Sequence, residues 1–234
     1  MNSVSFTQEI KEGEEIVDEY FLTLEKYKDV IIFSEAVNDV QLMEIAKNIY
    51  AVYQKFPQST YERMWAYYDI NKNDKDTIDY PGIKHMALLE IGKRFGEEYY
   101  NILEFPYTFE IKILDLKLVE YLWDYKKYKT IITAQIEFVL GGEKFNAGDI
   151  IEFDCYKDKI RDFEKNKSYL VRLKYSYTQE WKLGGLFLQQ KGLEIIDGFL
   201  IDIELEQLNK PAVRIEDLEN RYKKAINNLR GELN

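Results

Sequence analysis

Residues 130–140, "TIITAQIEFVL", decide the class of fold, because a run rich in isoleucine, threonine and phenylalanine is typical of a β-strand. Gly141 and Gly142 end the run. A turn at 146–148, "NAG", then leads into a second extended run at 149–156, "DIIEFDCY". Two such runs joined through a glycine-containing turn predict a β-hairpin.

Further extended runs follow the hairpin. Residues 168–177, "SYLVRLKYSY", have the pattern of a strand with two different faces. One face would carry Tyr169 and every second residue after it, and the other would carry Arg172 and Lys174. Three shorter runs follow at 184–190, 193–198 and 199–205. Five to seven strands at such short spacing predict an antiparallel sheet or a small barrel.

The segment 107–128 allows two interpretations. Phe109, Ile111 and Ile113 alternate with charged residues, and the alternation continues one residue out of step from Leu114. A strand with a bulge near Ile113–Leu114 explains that slip, because a slip of one residue moves every side chain to the other face. A helix remains the alternative, since Ile111, Leu114 and Leu118 also share one helical stripe.

The patterns before residue 105 and after residue 211 are helical. Asn38 or Asp39 is a candidate N-cap for a helix that ends before Pro57, and Pro81 suits the start of a helix that runs to about Tyr100. A closing amphipathic helix begins at Ile215. The predicted class is therefore α+β, with a helical region at 1–104, an antiparallel β region at 105–210, and a C-terminal helix at 211–234. Whether the first two regions form one domain or two is open.

Composition limits the functional classes. The 234 residues are 46% hydrophobic and 32% charged, as in an ordinary folded protein, and they carry a formal net charge of −10. This charge disfavours nucleic acid and anionic membranes as partners, and it suits a basic protein. The single cysteine, Cys155, excludes an internal disulfide, and we expect it to be buried and inert. With no apolar run long enough for a membrane helix and no recognisable signal peptide, we expect a cytoplasmic location.

Residues 71–83, "NKNDKDTIDYPGI", locally resemble the calcium-binding loop of EF-hand proteins. That family requires a glycine at the sixth position and a bidentate glutamate at the twelfth. If Asp69 is the first position, Asp74 and Tyr80 fall at these two places; if Asn71 is first, Asp76 and Gly82 do. Both alignments lose both residues, so we interpret the stretch as a turn before a helix and expect no calcium binding below millimolar concentrations.

Three carboxylates are the strongest candidates for a metal site. Glu152 and Asp154 lie two residues apart on one predicted strand and share a face, and Glu137 on the preceding strand could lie opposite them. Converging carboxylates would suit a Mg²⁺-dependent nuclease or hydrolase. Alternating acidic residues are also ordinary on the solvent face of an antiparallel sheet, and this second interpretation is favoured.

Aromatic residues mark a candidate protein interface. Tyr169, Tyr175 and Tyr177 share one face of a predicted strand, and Trp181 follows shortly after. Tyrosine and tryptophan are enriched in interfaces because they combine a large apolar area with a polar atom. A stacking platform for single-stranded nucleic acid on an OB-like sheet would use the same tyrosines, but Arg172 and Lys174 fall on the opposite face.

No catalytic residue and no cofactor site is predicted. Phosphate-binding glycine motifs are absent, and the lone histidine, His85, has no partner nearby in the sequence for general base catalysis. We therefore expect a non-catalytic interaction protein for a basic partner, with an inhibitor or immunity-type protein as one version. The alternatives are the metal-dependent hydrolase and the single-stranded nucleic-acid module. The oligomeric state is open.

Overall fold

In a computed structural model, the chain is α+β, as predicted. The structure describes residues 38–55, 80–121, 127–141, 145–156, 163–176, 185–188, 192–201 and 212–231. The chain divides into two compact units, one formed by Met1–Glu104 with Ile226–Asn234 and the other by Phe105–Ala225.

The described helices of the first unit are α1 (Asp39–Lys55), α2 (Tyr80–Phe95) and α3 (Glu97–Glu104). The start of α1 confirms Asn38 as its N-cap. The Asn38 side-chain oxygen accepts a hydrogen bond from the Gln41 N–H at 3.0 Å, and the Gln41 side chain accepts one from the Asn38 N–H at 3.2 Å. This reciprocal pair is a capping box, in which two donors that the helix cannot satisfy find partners.

One predicted helix is divided into two. A continuous helix from Pro81 to about Tyr100 was expected, whereas α2 begins at Tyr80 and ends at Phe95, and α3 begins at Glu97. Gly96 lies between them with φ of 121°, a value that side-chain-bearing residues rarely adopt. The Gly96 N–H still donates to the Gly92 carbonyl at 3.1 Å, so the glycine closes the last turn of α2 before the chain changes direction.

The second unit contains eight described strands and most of the last helix. The strands are β1 (Tyr107–Tyr121), β2 (Lys127–Gly141), β3 (Ile150–Tyr156), β4 (Ser168–Ser176), β5 (Gly185–Leu188), β6 (Leu193–Ile196), β7 (Phe199–Ile201) and β8 (Val213–Arg214). Helix α4 (Ile215–Arg230) follows directly and buries a stripe at Leu218, Tyr222, Ala225 and Leu229. The predicted hairpin is confirmed as β2 and β3, which pair antiparallel.

Five of the strands close into a barrel. The order along the sheet is β1-β2-β3-β5-β4, and β4 returns to pair with β1. All of these pairings are antiparallel except β3 with β5, which is parallel. Strands β6, β7 and β8 extend the sheet outward from β4. A five-stranded Greek-key barrel with this closure is the architecture of OB folds, so the predicted small barrel takes a definite form.

The barrel interior explains the alternation in the sequence. Alternate residues of β1 before its bulge, and of β2, β3 and β4, face inward. Together with Phe163 of the turn before β4 and Leu188 of β5 they form one cluster: Phe109, Ile111, Ile113, Ile132, Ala134, Ile136, Ile151, Phe153, Cys155, Phe163, Tyr169, Val171, Leu173 and Leu188. Cys155 is only 1% exposed, which agrees with the expectation of a buried thiol. A closed apolar cluster of this kind is the main stabilising feature of such a barrel.

The bulge predicted in β1 is confirmed, and the helical alternative for residues 107–121 is wrong. Ile113 pairs with Ala134 and Asp115 with Thr133, so Leu114 has no counterpart on β2. With this extra residue the two strands remain paired, but the alternation of inward and outward side chains along β1 shifts by one position after the bulge. Residues before and after the bulge can therefore both belong to one strand.

Candidate binding face

The outer face of β2 and β3 is formed by three cross-strand pairs. Ile131 lies opposite Asp154, Thr133 opposite Glu152, and Gln135 opposite Ile150. Their immediate neighbours along both strands are buried in the barrel, and because successive side chains of a strand point to opposite faces, these six point outward. We call this set the β2–β3 face.

The β2–β3 face is polar, acidic and partly apolar. Ile150 is 65% exposed and Glu152 is also exposed. The Thr133 hydroxyl donates to the Glu152 carboxylate at 3.4 Å, and the Gln135 side-chain amide donates to the Gly148 carbonyl at 3.4 Å. None of the six residues is basic or aromatic. The face thus offers negative charge and apolar contact area, and it lacks the groups that stack on bases or neutralise phosphates.

The three candidate metal ligands do not form one group. Glu137 accepts a hydrogen bond from the Ser168 hydroxyl of β4 at 2.6 Å, whereas Glu152 is engaged with Thr133 on the β2–β3 face. Glu152 and Asp154 share that face, as predicted. Within the described part of the chain, no three His, Cys, Asp or Glu side chains lie close enough together to hold a metal ion.

Glu137 belongs to a second acidic group, which includes Glu110 of β1 and Glu219 of α4. Burial raises the pKa of the Glu110 carboxyl on β1, and the nearby charges of Glu137 and of Glu219 on α4 raise it further. Lys223 of α4 forms an ion pair with Glu219 at 3.7 Å and lies 5.7 Å from the ring centroid of Phe138. This group lies between the barrel and α4, where it affects the stability of their contact.

Tyr169 is a core residue and does not contribute to a surface. Its side chain is 1% exposed, and its hydroxyl accepts a hydrogen bond from the Glu164 N–H at 2.9 Å. The inward row of β4 therefore begins with Tyr169, and Arg172 and Lys174 occupy the outward row. Of the other interface candidates, Tyr175 is described only as a backbone position of β4. Tyr177, Trp181 and most of the calcium-like stretch lie outside the described residues, and His85 is exposed on α2.

The negative charge is not spread evenly along the chain. Residues 105–201, which contain the barrel, have 15 basic and 15 acidic side chains. Residues 1–104 have 20 acidic and 11 basic side chains, so they account for most of the net charge. The acidity of the β2–β3 face is consequently a local property of two residues, Glu152 and Asp154.

In comparisons with known proteins, neither a family model nor a curated protein sequence matches this chain. Among the helices that the structure describes, none combines the length and apolar character needed to cross a membrane.

Sequence reasoning found two residues of the β2–β3 face and missed four. Glu152 and Asp154 stood out because they are charged, whereas Ile131, Thr133, Gln135 and Ile150 resemble ordinary strand residues. The sequence signal that could have found them is their position in the hairpin, because residues directly opposite Glu152 and Asp154 must point to the same face of the sheet. Using this signal requires knowledge of which residues of the two strands lie opposite each other.

Proposed function

We propose that the protein is a non-catalytic binding protein that presents the β2–β3 face to a basic surface of another protein. The observation that supports this proposal is the composition of the face, where Glu152 and Asp154 lie beside the apolar side chains of Ile131 and Ile150. Carboxylates next to exposed apolar groups suit a surface that carries lysine or arginine around an apolar centre.

The position of the face in the fold also supports the proposal. In OB folds the face on the second and third strands binds oligonucleotides and oligosaccharides, so it is an established binding surface of this architecture, and the residues on it decide the class of ligand. The hairpin that carries the face is held by paired strands along its length and by the Asn146 N–H, which donates to the Asp149 carboxylate at 2.8 Å. A cytoplasmic setting is part of the proposal, and the single cysteine is consistent with it. An inhibitor or immunity-type protein is one specific form.

The test uses charge reversal on the face. The full chain and the double variant Glu152→Lys/Asp154→Lys would be immobilised and used to capture proteins from the cytoplasm of the source cells. We expect the wild type to retain a basic protein at near-equal stoichiometry, and we expect the variant to lose most of it. The matched control is Glu164→Lys/Glu216→Lys, which makes the same change in net charge at exposed positions outside the face. Equal retention by wild type and the face variant would contradict the proposal.

A second candidate function is binding of single-stranded nucleic acid, and the closed strand order of the barrel favours it. The charge balance of residues 105–201 removes part of the objection raised by the net charge of the whole chain. Fluorescence anisotropy with labelled single-stranded oligonucleotides at low salt is the test. Affinity that falls steeply with added salt supports this candidate, and the absence of binding at low salt excludes it.

A further inference from the structure

Helix α2 has apolar residues on two opposite faces. The buried face consists of Ile83, Ala87, Leu88 and Ile91. Within the first unit this helix contacts α1 and α3, and its contact with α3 is close, because a Cβ atom at Gly92 would lie 2.9 Å from the Tyr100 Cβ atom. One buried face is what an amphipathic helix needs to be held in a domain, so the second apolar face requires a separate explanation.

The second face of α2 is largely exposed, and we call it the outer stripe. It follows helical spacing and consists of Gly82, His85, Met86, Leu89 and Lys93. Met86 is 43% exposed and Leu89 is 46% exposed. An ordinary surface helix carries polar and charged residues on its solvent side, whereas a helix that is apolar on all sides is normally buried. The outer stripe therefore has the composition of a contact surface.

The outer stripe is basic in an acidic part of the chain. Residues 1–104 have 20 acidic and 11 basic side chains, yet none of the five residues of the stripe is acidic. The one acidic residue of α2 is Glu90, whose side chain is 18% exposed and lies 3.6 Å from both Lys93 and Arg94. Two cations therefore compensate its charge. The Lys93 side chain is itself 76% exposed, and so exposed an ion pair holds it weakly.

The spacing and the charge of the outer stripe fit a helix of opposite charge. Helices pack along rows of residues three and four apart, which is the spacing of Met86, Leu89 and Lys93. Methionine adapts its shape to the surface that it contacts, and it is common where a protein binds the apolar side of a helix. Carboxylates that border the partner's apolar stripe would meet Lys93, whereas lysines in the same places would be repelled.

We propose that the outer stripe of α2 is a docking site for an acidic amphipathic helix of a partner protein. Leu89 and Met86 provide the apolar contact, and Lys93 pairs with a carboxylate at its border. The proposal goes beyond the function assigned to the β2–β3 face, because the stripe belongs to the first unit, uses none of the same residues and selects a partner of opposite charge.

Thiol labelling of the full chain tests whether the stripe is accessible before any partner binds. Leu89→Cys places a thiol on the stripe, and Ile196→Cys is the matched reference because both positions are 46% exposed. Cys155 is buried and gives little background. We expect the two variants to react with a maleimide at similar rates. Protection of Leu89→Cys alone would show that the chain or a second copy of it already covers the stripe, and this would overturn the proposal.

Peptide binding tests the chemistry of the partner. The probe is a fluorescein-labelled helical peptide of about 18 residues, about five turns, with leucine on one face and glutamate elsewhere. A second peptide carries lysine in place of glutamate. In fluorescence anisotropy at low salt, we expect the full chain to bind the acidic peptide and not the basic one. Leu89→Glu should weaken binding of the acidic peptide roughly ten-fold or more, because it places a charge at the centre of the contact.

Charge reversal at the border of the stripe separates the site from net charge. Lys93→Glu should weaken binding of the acidic peptide and improve binding of the basic one. Lys224→Glu makes the same change in net charge at an exposed position of α4 and should bind like the wild type. Circular dichroism and thermal unfolding establish that each variant is folded.

Three binding results would overturn the proposal. The first is a wild-type chain that does not bind the acidic peptide at low salt or binds the basic peptide equally well. The second is binding that neither Leu89→Glu nor Lys93→Glu weakens, because another surface would then hold the peptide. The third is equal weakening by Lys93→Glu and Lys224→Glu, since net charge and not the outer stripe would then govern the affinity.

Discussion

The hydroxyl of Tyr169 accepts a hydrogen bond from the backbone N–H of Glu164 at 2.9 Å, and this bond fixes the turn that precedes β4. The Tyr169 ring lies 4.9 Å from the Phe163 ring in an edge-to-face arrangement, so the same side chain also anchors the residue that closes the barrel end. The same turn contains Asn166 and Lys167, whose backbone groups bond to Ile113 of β1, so Tyr169 also supports the end of the pairing between β1 and β4.

Replacing Tyr169 with Phe should lower the free energy of unfolding by about 1–2 kcal/mol, because the partly buried Glu164 N–H loses its acceptor while the ring contacts remain. Urea unfolding monitored by circular dichroism gives the value. Tyr169→Leu, which removes the ring contact as well, should cost more. If Tyr169→Phe is as stable as the wild type, water replaces the hydroxyl without loss and the bond does not hold the turn.

Gly192 should not tolerate a side chain, because a Cβ atom there would lie 2.6 Å from two atoms of the Phe163 ring. We expect Gly192→Ala to destabilise the protein by about 1–3 kcal/mol, as overpacking of a core does. The double variant Gly192→Ala/Phe163→Leu supplies the control, since a smaller side chain at 163 should make the alanine cost less than it does beside phenylalanine. If thermal unfolding shows that Gly192→Ala destabilises the protein equally beside Phe163 and beside Leu at position 163, the Phe163 ring is not what excludes a side chain at position 192.

Glu110 should make stability depend on pH. Burial first, and then the charges of Glu137 and Glu219, raise its pKa above 4.5 in the folded protein. A raised pKa means that folding favours the protonated carboxyl, so this stabilisation is complete below the unfolded-state pKa and is lost as pH rises through the folded-state pKa.

Glu110→Gln should therefore be more stable than the wild type at pH 7, and the difference should shrink towards pH 4. Unfolding by urea at several pH values measures this difference. Glu152→Gln makes the same chemical change on the exposed β2–β3 face and is the matched control. A Glu110→Gln variant that is less stable than the wild type at pH 7 would contradict the expectation.

The capping box at the start of α1 should contribute to the stability of the first unit. Asn38→Ala removes the acceptor for the Gln41 N–H and should cost about 1 kcal/mol. Asn38→Ser is the control, because serine caps helices well and should restore most of the loss. Thermal unfolding of the full chain, followed by helical circular dichroism, is the measurement. Equal stability of the alanine and serine variants would show that the cap is unimportant here.

The local elements of the barrel could be predicted from the sequence, whereas its closure could not. Alternation placed β2, β3 and β4 close to their true bounds, and the slip at Leu114 revealed the bulge. The parallel pairing of β3 with β5 involves only Phe153–Leu186 and Asp154–Phe187, and β5 has four residues. So short a contact between distant segments leaves no periodic signal, since periodicity reports the faces of a strand and not its neighbours.

The same limit explains the outcome for the candidate site residues. Alternation correctly put Glu152 and Asp154 on one face, but it could not show that Glu137 turns to Ser168. Tyr169 was predicted to lie on a surface because tyrosine is enriched in interfaces, and only the closed barrel determines which face of β4 points inward. The charge of the β2–β3 face could not be inferred either, because the net charge of the whole chain does not show how charge is distributed among its surfaces.

The pairing of β1 with β4 joins residues that are 56 to 66 positions apart in the chain, from Lys112 with Ser168 to Tyr107 with Leu173. During synthesis, β1 emerges long before the strand that closes the barrel against it. Contacts between such distant residues slow folding, because a long loop must be ordered first. The complete edge of β1 is therefore exposed in the growing chain, and this interval is when contact with other nascent chains is most hazardous.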